Sequence, residues 1–213
     1  MKSERMFLLC LIIFSIILIN TSALAGDIEN LVLNHDFEEG INPWTLWVED
    51  QGAGAAAEMV IDKGEHVKGK RSMQIDIQKA GKNNKRIELH QRHFVLKKGQ
   101  KLTYALWAKA EDTRPAKMIA NRRADPWTSY GSKNFTIGED WQEFYTAVEM
   151  TADDDIVGIY VELRDNLKGQ VWFDDFRLFE GDYVPDPELG EVDFPVDYRG
   201  KLSVTWGQIK TRD

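Results

Sequence analysis

Between Asn30 and Glu180 the apolar residues fall at alternate positions in short runs. Ser72–Ile77 sends Met73, Ile75 and Ile77 to one side, and Arg86–His90 does the same with Ile87 and Leu89. Leu102, Tyr104, Leu106 and Ala108 share a side, leaving Trp107 and Lys109 on the other; Ile159, Val161 and Leu163 alternate with Tyr160, Glu162 and Arg164. A period of two is that of a β-strand with one buried face. Polar turns divide the runs at Lys97–Gln100, Gly138–Asp140, Ala152–Asp155 and Asn166–Gly169, and a long polar-aromatic stretch, Asn121 to Ser132, reads as a loop. Many short alternating strands with turns between them predict an all-β fold, a two-sheet antiparallel β-sandwich. A span of about 150 residues suits the jelly-roll version.

One strand breaks its own rhythm. In Val171–Gly181 the apolar residues Val171 and Phe173 share one parity, whereas Phe176 and Leu178, beyond Asp174 and Asp175, take the other. A register that slips by one across a polar pair predicts a β-bulge. The two acids need compensation there, because a buried charge is costly unless it is paired, hydrogen-bonded or bound to a cation.

The ends of the chain differ in kind from its middle. Lys2 and Arg5 precede an apolar run, Met6 to Ile19, and then Ala23-Leu24-Ala25. That is the layout of a secretory signal peptide, so residues 1–25 are expected to be cleaved and the product to be secreted, extracellular or in the cell envelope. Residues 27–181 form the sandwich domain, and 182–213 a linker and C-terminal tail, with three prolines between 184 and 200 and a last strand-like piece at Lys201–Trp206. The single cysteine, Cys10, lies in the leader, which leaves the domain without a disulfide. A formal charge of −8 argues against nucleic acid or an anionic membrane as partner, since both select basic patches. Neutral, hydroxyl-rich ligands or a cation fit better.

Five segments, in order, resemble the carbohydrate-binding modules of the 4, 9 and 22 group. These are Asn30-Leu31-Val32-Leu33-Asn34-His35-Asp36-Phe37-Glu38, Gly69-Lys70-Arg71-Ser72-Met73, Leu102-Thr103-Tyr104 through Ala110, Trp141-Gln142-Glu143-Phe144, and Val171 through Leu178. The resemblance implies a jelly roll that binds poly- or oligosaccharide without hydrolysing it. It also implies a structural Ca²⁺, with Glu38 and Asp174 as side-chain ligands, Asp36 as a further one, and a carbonyl of Gly69 or Lys70.

A site for sugar rings needs aromatic plates flanked by amides, carboxylates or guanidinium groups. Strand parity and loop position nominate Trp107; Arg86 and His90; Tyr160, Glu162 and Arg164; and Trp127 and Tyr130 in the long loop. Each has a structural alternative: Trp107 packed under a loop, Trp127 stapling its own loop, Tyr160 with Glu162 and Arg164 as a plain charged face. Two further functions stand beside glycan binding. A glycosidase would need two carboxylates across a cleft, and Glu88 with Glu162 is the only pair parity suggests; with no other catalytic pattern, the expectation is a non-enzyme. An adhesion protein would use the same sandwich for protein contact.

Overall fold

The computed structural model describes residues 28–49, 54–80, 86–163 and 167–185. The expected leader, Arg164, and residues 186–213 with the strand-like Lys201–Trp206 lie outside them. Ten strands follow in chain order: β1 (Thr45–Val48), β2 (Ala55–Asp62), β3 (Ser72–Ala80), β4 (Ile87–Leu96) and β5 (Lys101–Ala110), then β6 (Arg114–Arg122), β7 (Ser129–Ile137), β8 (Gln142–Glu149), β9 (Asp154–Leu163) and β10 (Gly169–Glu180). They make two five-stranded antiparallel sheets, ordered β1-β4-β9-β6-β7 and β2-β3-β10-β5-β8. The sandwich is as the alternation predicts.

Two stretches depart from it. Gly52–Ala57 reads as a small flexible segment, yet Ala55, Ala56 and Ala57 open β2, where pairing with β3 supplies the hydrogen bonds that local propensity does not. The long loop is shorter than its polarity suggests, because Ser129 already pairs with Asn121 in the β6–β7 ladder.

The core lies between the sheets. Ile87 and Leu89 from β4, Met118 from β6 and Ile159, Val161 and Leu163 from β9 meet Met73, Ile75 and Ile77 from β3 and Leu102, Tyr104 and Leu106 from β5. Fully burying one large aliphatic side chain contributes about 1.5–3 kcal/mol. At one end Phe176 gathers the aromatics: its ring centroid is 4.4 Å from Trp44, 5.9 Å from Phe37, 6.1 Å from Phe173 and 6.4 Å from Tyr104.

The slip in β10 is a bulge. Pairing with β5 shifts register between Asp174 and Arg177, and Asp175 takes a positive φ of 42°. The extra residue lets Phe173 and Phe176 both reach the core. Here β10 meets the N-terminal segment: Leu31 N–H donates to Leu178 O (2.8 Å), Phe176 N–H to His35 O (3.0 Å), and the Asn30 amide donates to Phe176 O and accepts from Leu178 N–H. Both acids are compensated. Asp174 accepts the N–H groups of Val67, Lys68 and Asp175 at 2.7, 3.0 and 2.8 Å. Asp175 lies 3.1 Å from His35 Nδ1 and 3.4 Å from Arg177 Nε; the hydrogen bond to Asp175 raises the pKa of His35.

Candidate functional site

The outer face of the β1-β4-β9-β6-β7 sheet carries rows of side chains that run across the strands. Trp47 pairs with Glu88, Glu88 with Glu162, Glu162 with Lys117, and Lys117 with Asn134. In the next row Thr45, His90, Tyr160, Ile119 and Ser132 stand in register. Because their neighbours Ile87, Leu89, Val161 and Met118 point into the core, these residues point out. On this face lies a cleft of about 440 Å³, lined by Trp47, Arg86, Glu88, Arg92, Asn121, Arg123, Trp127 and Tyr160. A second hollow of about 360 Å³ borders Lys117, Asn134 and Glu162.

Two open aromatic plates stand over it. Trp47 is 37% exposed and Trp127 56%. Trp127 closes a four-residue turn, its N–H donating to Ala124 O at 2.7 Å, while Arg122 N–H reaches Thr128 O at 2.9 Å. The Asp125–Pro126 bond in this turn is cis. Trp127 itself has a φ of 59°, a left-handed conformation that costs a bulky residue about 1–2 kcal/mol. Such strain persists where the surroundings over-determine it, commonly at binding sites.

Guanidinium groups brace the plates from behind. Arg86 lies 4.9 Å from the Trp47 ring centroid and Arg123 5.9 Å from that of Trp127 and 4.6 Å from that of Tyr160. Glu88 ties the two arginines together, accepting from Arg86 Nη1 at 3.3 Å through one oxygen and from Arg123 Nη2 at 3.1 Å through the other. Arg86 also reaches Glu49 (3.4 Å) and Glu162 (3.9 Å). The stem of Arg123 fits because position 158 is glycine: a Cβ there would stand 2.7 Å from Arg123 Cγ. Burial, aided by Arg92 and Arg123, lowers His90 to about 4, so its imidazole is neutral. Burial, then the charge of Glu88, pushes Tyr160 up to about 12, so it stays a phenol. Glu88 and Glu162 do face one another, and arginine engages both.

Of the residues nominated from sequence, this face gathers Arg86, His90, Trp127, Tyr160 and Glu162. Trp107 is not among them. It lies on β5 in the other sheet, between Asp174 and Glu143 in register, and is only 3% exposed. Its parity is as expected, facing away from Leu106 and Ala108, but that outer face is covered. Tyr130 is a core residue instead of a loop contact, 7% exposed, its hydroxyl donating to Asp154 at 2.7 Å. His90 and Tyr160 sit on the face but are buried within it. Sequence reasoning passed over Trp47, Arg92, Asn121 and Arg123; for Trp47 the signal was present, since it alternates with Leu46 and Val48.

The residues nominated for calcium meet on one turn. Glu38 Oε1 accepts Lys70 N–H at 2.5 Å, while Asp174 accepts Val67 and Lys68 N–H. Gly69, at φ 66°, permits the approach, since a Cβ there would lie 2.4 Å from Glu38 Oε1. Asp36 caps the neighbouring Glu38 amide at 3.3 Å. Among the described residues no group of three or more His, Cys, Asp or Glu side chains could hold a metal. Burial pushes Asp174 up to about 7 despite its three N–H donors.

Residues 29–168 match the family model of a carbohydrate binding domain. Among solved structures, the chain is similar to a CBM4 module at 24% identity and a TM-score of 0.60, covering 70% of this chain and 99% of that one. It is similar to TmCBM61, solved with β-1,4-galactotriose, at 16% identity and a TM-score of 0.54, with coverages of 72% and 99%. The xylan-binding CBM22-1 domain from Paenibacillus barcinonensis aligns at 14% identity and a TM-score of 0.52, with coverages of 70% and 94%. No curated protein matches the chain.

Proposed function

The chain belongs to the carbohydrate-binding domain family, and from that premise we propose that it is a secreted, non-catalytic module whose cleft on the β1-β4-β9-β6-β7 sheet holds poly- or oligosaccharide. The observation that carries this reading is the pair of exposed plates, Trp47 and Trp127, lining one cleft with Arg86, Glu88, Asn121 and Arg123. Apolar C–H faces of sugar rings stack on such plates, and the polar groups between them receive the hydroxyl rim. Arginines stacked behind the rings and tied by Glu88 hold the plates in place before ligand arrives, which lowers the ordering cost of binding. Galactotriose and xylan, ligands of two similar structures, set the class to try first.

Affinity electrophoresis through gels containing immobilised polysaccharides tests the reading. Retardation by at least one glycan, lost in the Trp47→Ala/Trp127→Ala double variant, is expected; migration unchanged on every glycan sinks it. The calcium expectation belongs to the same proposal, with Glu38 and Asp174 holding the ion and backbone carbonyls completing the shell. Chelator should lower the melting temperature and added Ca²⁺ restore it, and a melt indifferent to both removes the ion.

A further inference from the structure

Resting on that reading of the cleft, we infer that its ligand is an anionic polysaccharide, one whose sugars carry carboxylate or sulfate groups. The charge balance is local. The chain as a whole is acidic, at −8, and three arginines line the cleft; Glu49, Glu88 and Glu162 balance Arg86 and Arg123, which leaves Arg92. Arg86 and Arg123 are committed to acids of the protein. Arg92 is not: among the described residues it makes no ion pair, and its pKa is lowered by burial and by the positive charge of Arg123. Farther along the face Lys117, which borders the second hollow, likewise has no ion pair among the described residues, although Glu162 stands opposite it in register.

Arg92 is exposed at the cleft, so its charge is open to an anion from solvent. A guanidinium fork matches a carboxylate or sulfate through paired hydrogen bonds, which a neutral hydroxyl cannot reproduce. Overall repulsion from the acidic chain also means that any polyanion binding must come from a local site.

The test compares each anionic polymer with its neutral counterpart on the full wild-type chain: polygalacturonate and its carboxyl-reduced galactan, and a sulfated galactan and its desulfated form. Stronger retardation by either charged member supports the inference, and which pair responds distinguishes carboxylate from sulfate. That retardation should weaken about tenfold or more between about 20 and about 500 mM NaCl. Arg92→Gln should lower affinity for the charged polymer about tenfold, while Lys101→Gln on the other sheet leaves it unchanged. Neutral polymers binding as tightly as charged ones overturn the inference and leave the glycan reading standing. Binding by none of the four, nor by xylan or β-glucan, overturns both.

Discussion

The two outer faces of the sandwich are built from the same materials and closed to different degrees. On the β2-β3-β10-β5-β8 side, Lys109 Nζ lies 5.2 Å from the centroid of the Trp172 ring, and Arg177 lies 5.8 Å from that of Phe179. There, however, the chain folds back over the rings. Trp172 Nε1 donates to Asp62 at 2.7 Å, Lys109 reaches Glu65 at 2.9 Å, and Tyr183 stacks on Tyr145 at 3.7 Å while its hydroxyl donates to Glu143. On the β1-β4-β9-β6-β7 side arginines stand against Trp47 and Trp127, and the two residues stay 37% and 56% exposed. A cation stacked on an aromatic ring is therefore common to both faces. What separates a site from a wall is which side of the ring the protein leaves free.

The comparison breaks first at Trp107. If the covered face is structural, Trp107→Ala should cost about 3–5 kcal/mol in urea unfolding, as large-to-small changes in a packed interior do, with the glycan affinity of the folded protein unaltered. Loss of affinity with stability intact would reverse the assignment of the two faces. The open plates should behave oppositely. Trp47→Ala and Trp127→Ala are each expected to weaken glycan binding about tenfold while shifting stability by no more than about 0.5 kcal/mol, read by titration and by melting. A smaller effect sharpens the contrast: Tyr183→Ala should remove about 1 kcal/mol by uncovering Tyr145, yet create no new glycan affinity. Gain of binding there would mean that exposure alone makes a plate.

The weakest signal is in pH. His90, at about 4 when folded and near 6.5 when unfolded, takes up its proton first in the unfolded chain. Its contribution is thus fully present above pH 6.5 and is lost as pH falls toward 4. Solvent at the cleft mouth screens the effect, so a shallow acid-side decline in stability is expected, flattened in His90→Gln. Glycan affinity should stay level from pH 6.5 to 8, and a step in that range would point to another titrating group.

How far the sequence could be read follows the same division. Strand parity is a local property, and it correctly placed Met73, Ile75, Ile77, Leu89, Tyr104 and Val161 in the core and Arg86, Tyr160 and Glu162 on an outer face. The slip around Asp174 and Asp175 was legible for the same reason, since a bulge leaves its mark in the count of residues. Parity is blind to what lands on the outer face. Trp47 and Trp107 obey the same rule, yet the first is 37% exposed and the second 3%. Arg123 shows a second kind of blindness. Its place depends on a side chain missing at Gly158, on another strand, and no local pattern announces an absence across a ladder. Tyr130 was misplaced because β7 starts inside a polar stretch, where pairing with β6 overrides composition.

The seam between the N-terminal segment and β10 has a mechanical consequence. Leu31 bonds to Leu178 and His35 to Phe176, so the two segments run antiparallel and both lead away from the sandwich at the same end. Tension applied through the residues before Leu31 and after Glu180 would enter at that seam and open it one hydrogen bond at a time, as a zipper opens. The cleft lies on the other sheet, which the N-terminal segment meets through the Gln91 side chain and the backbone of Leu33. A module pulled along its chain would thus yield at its tether before it loosened its grip.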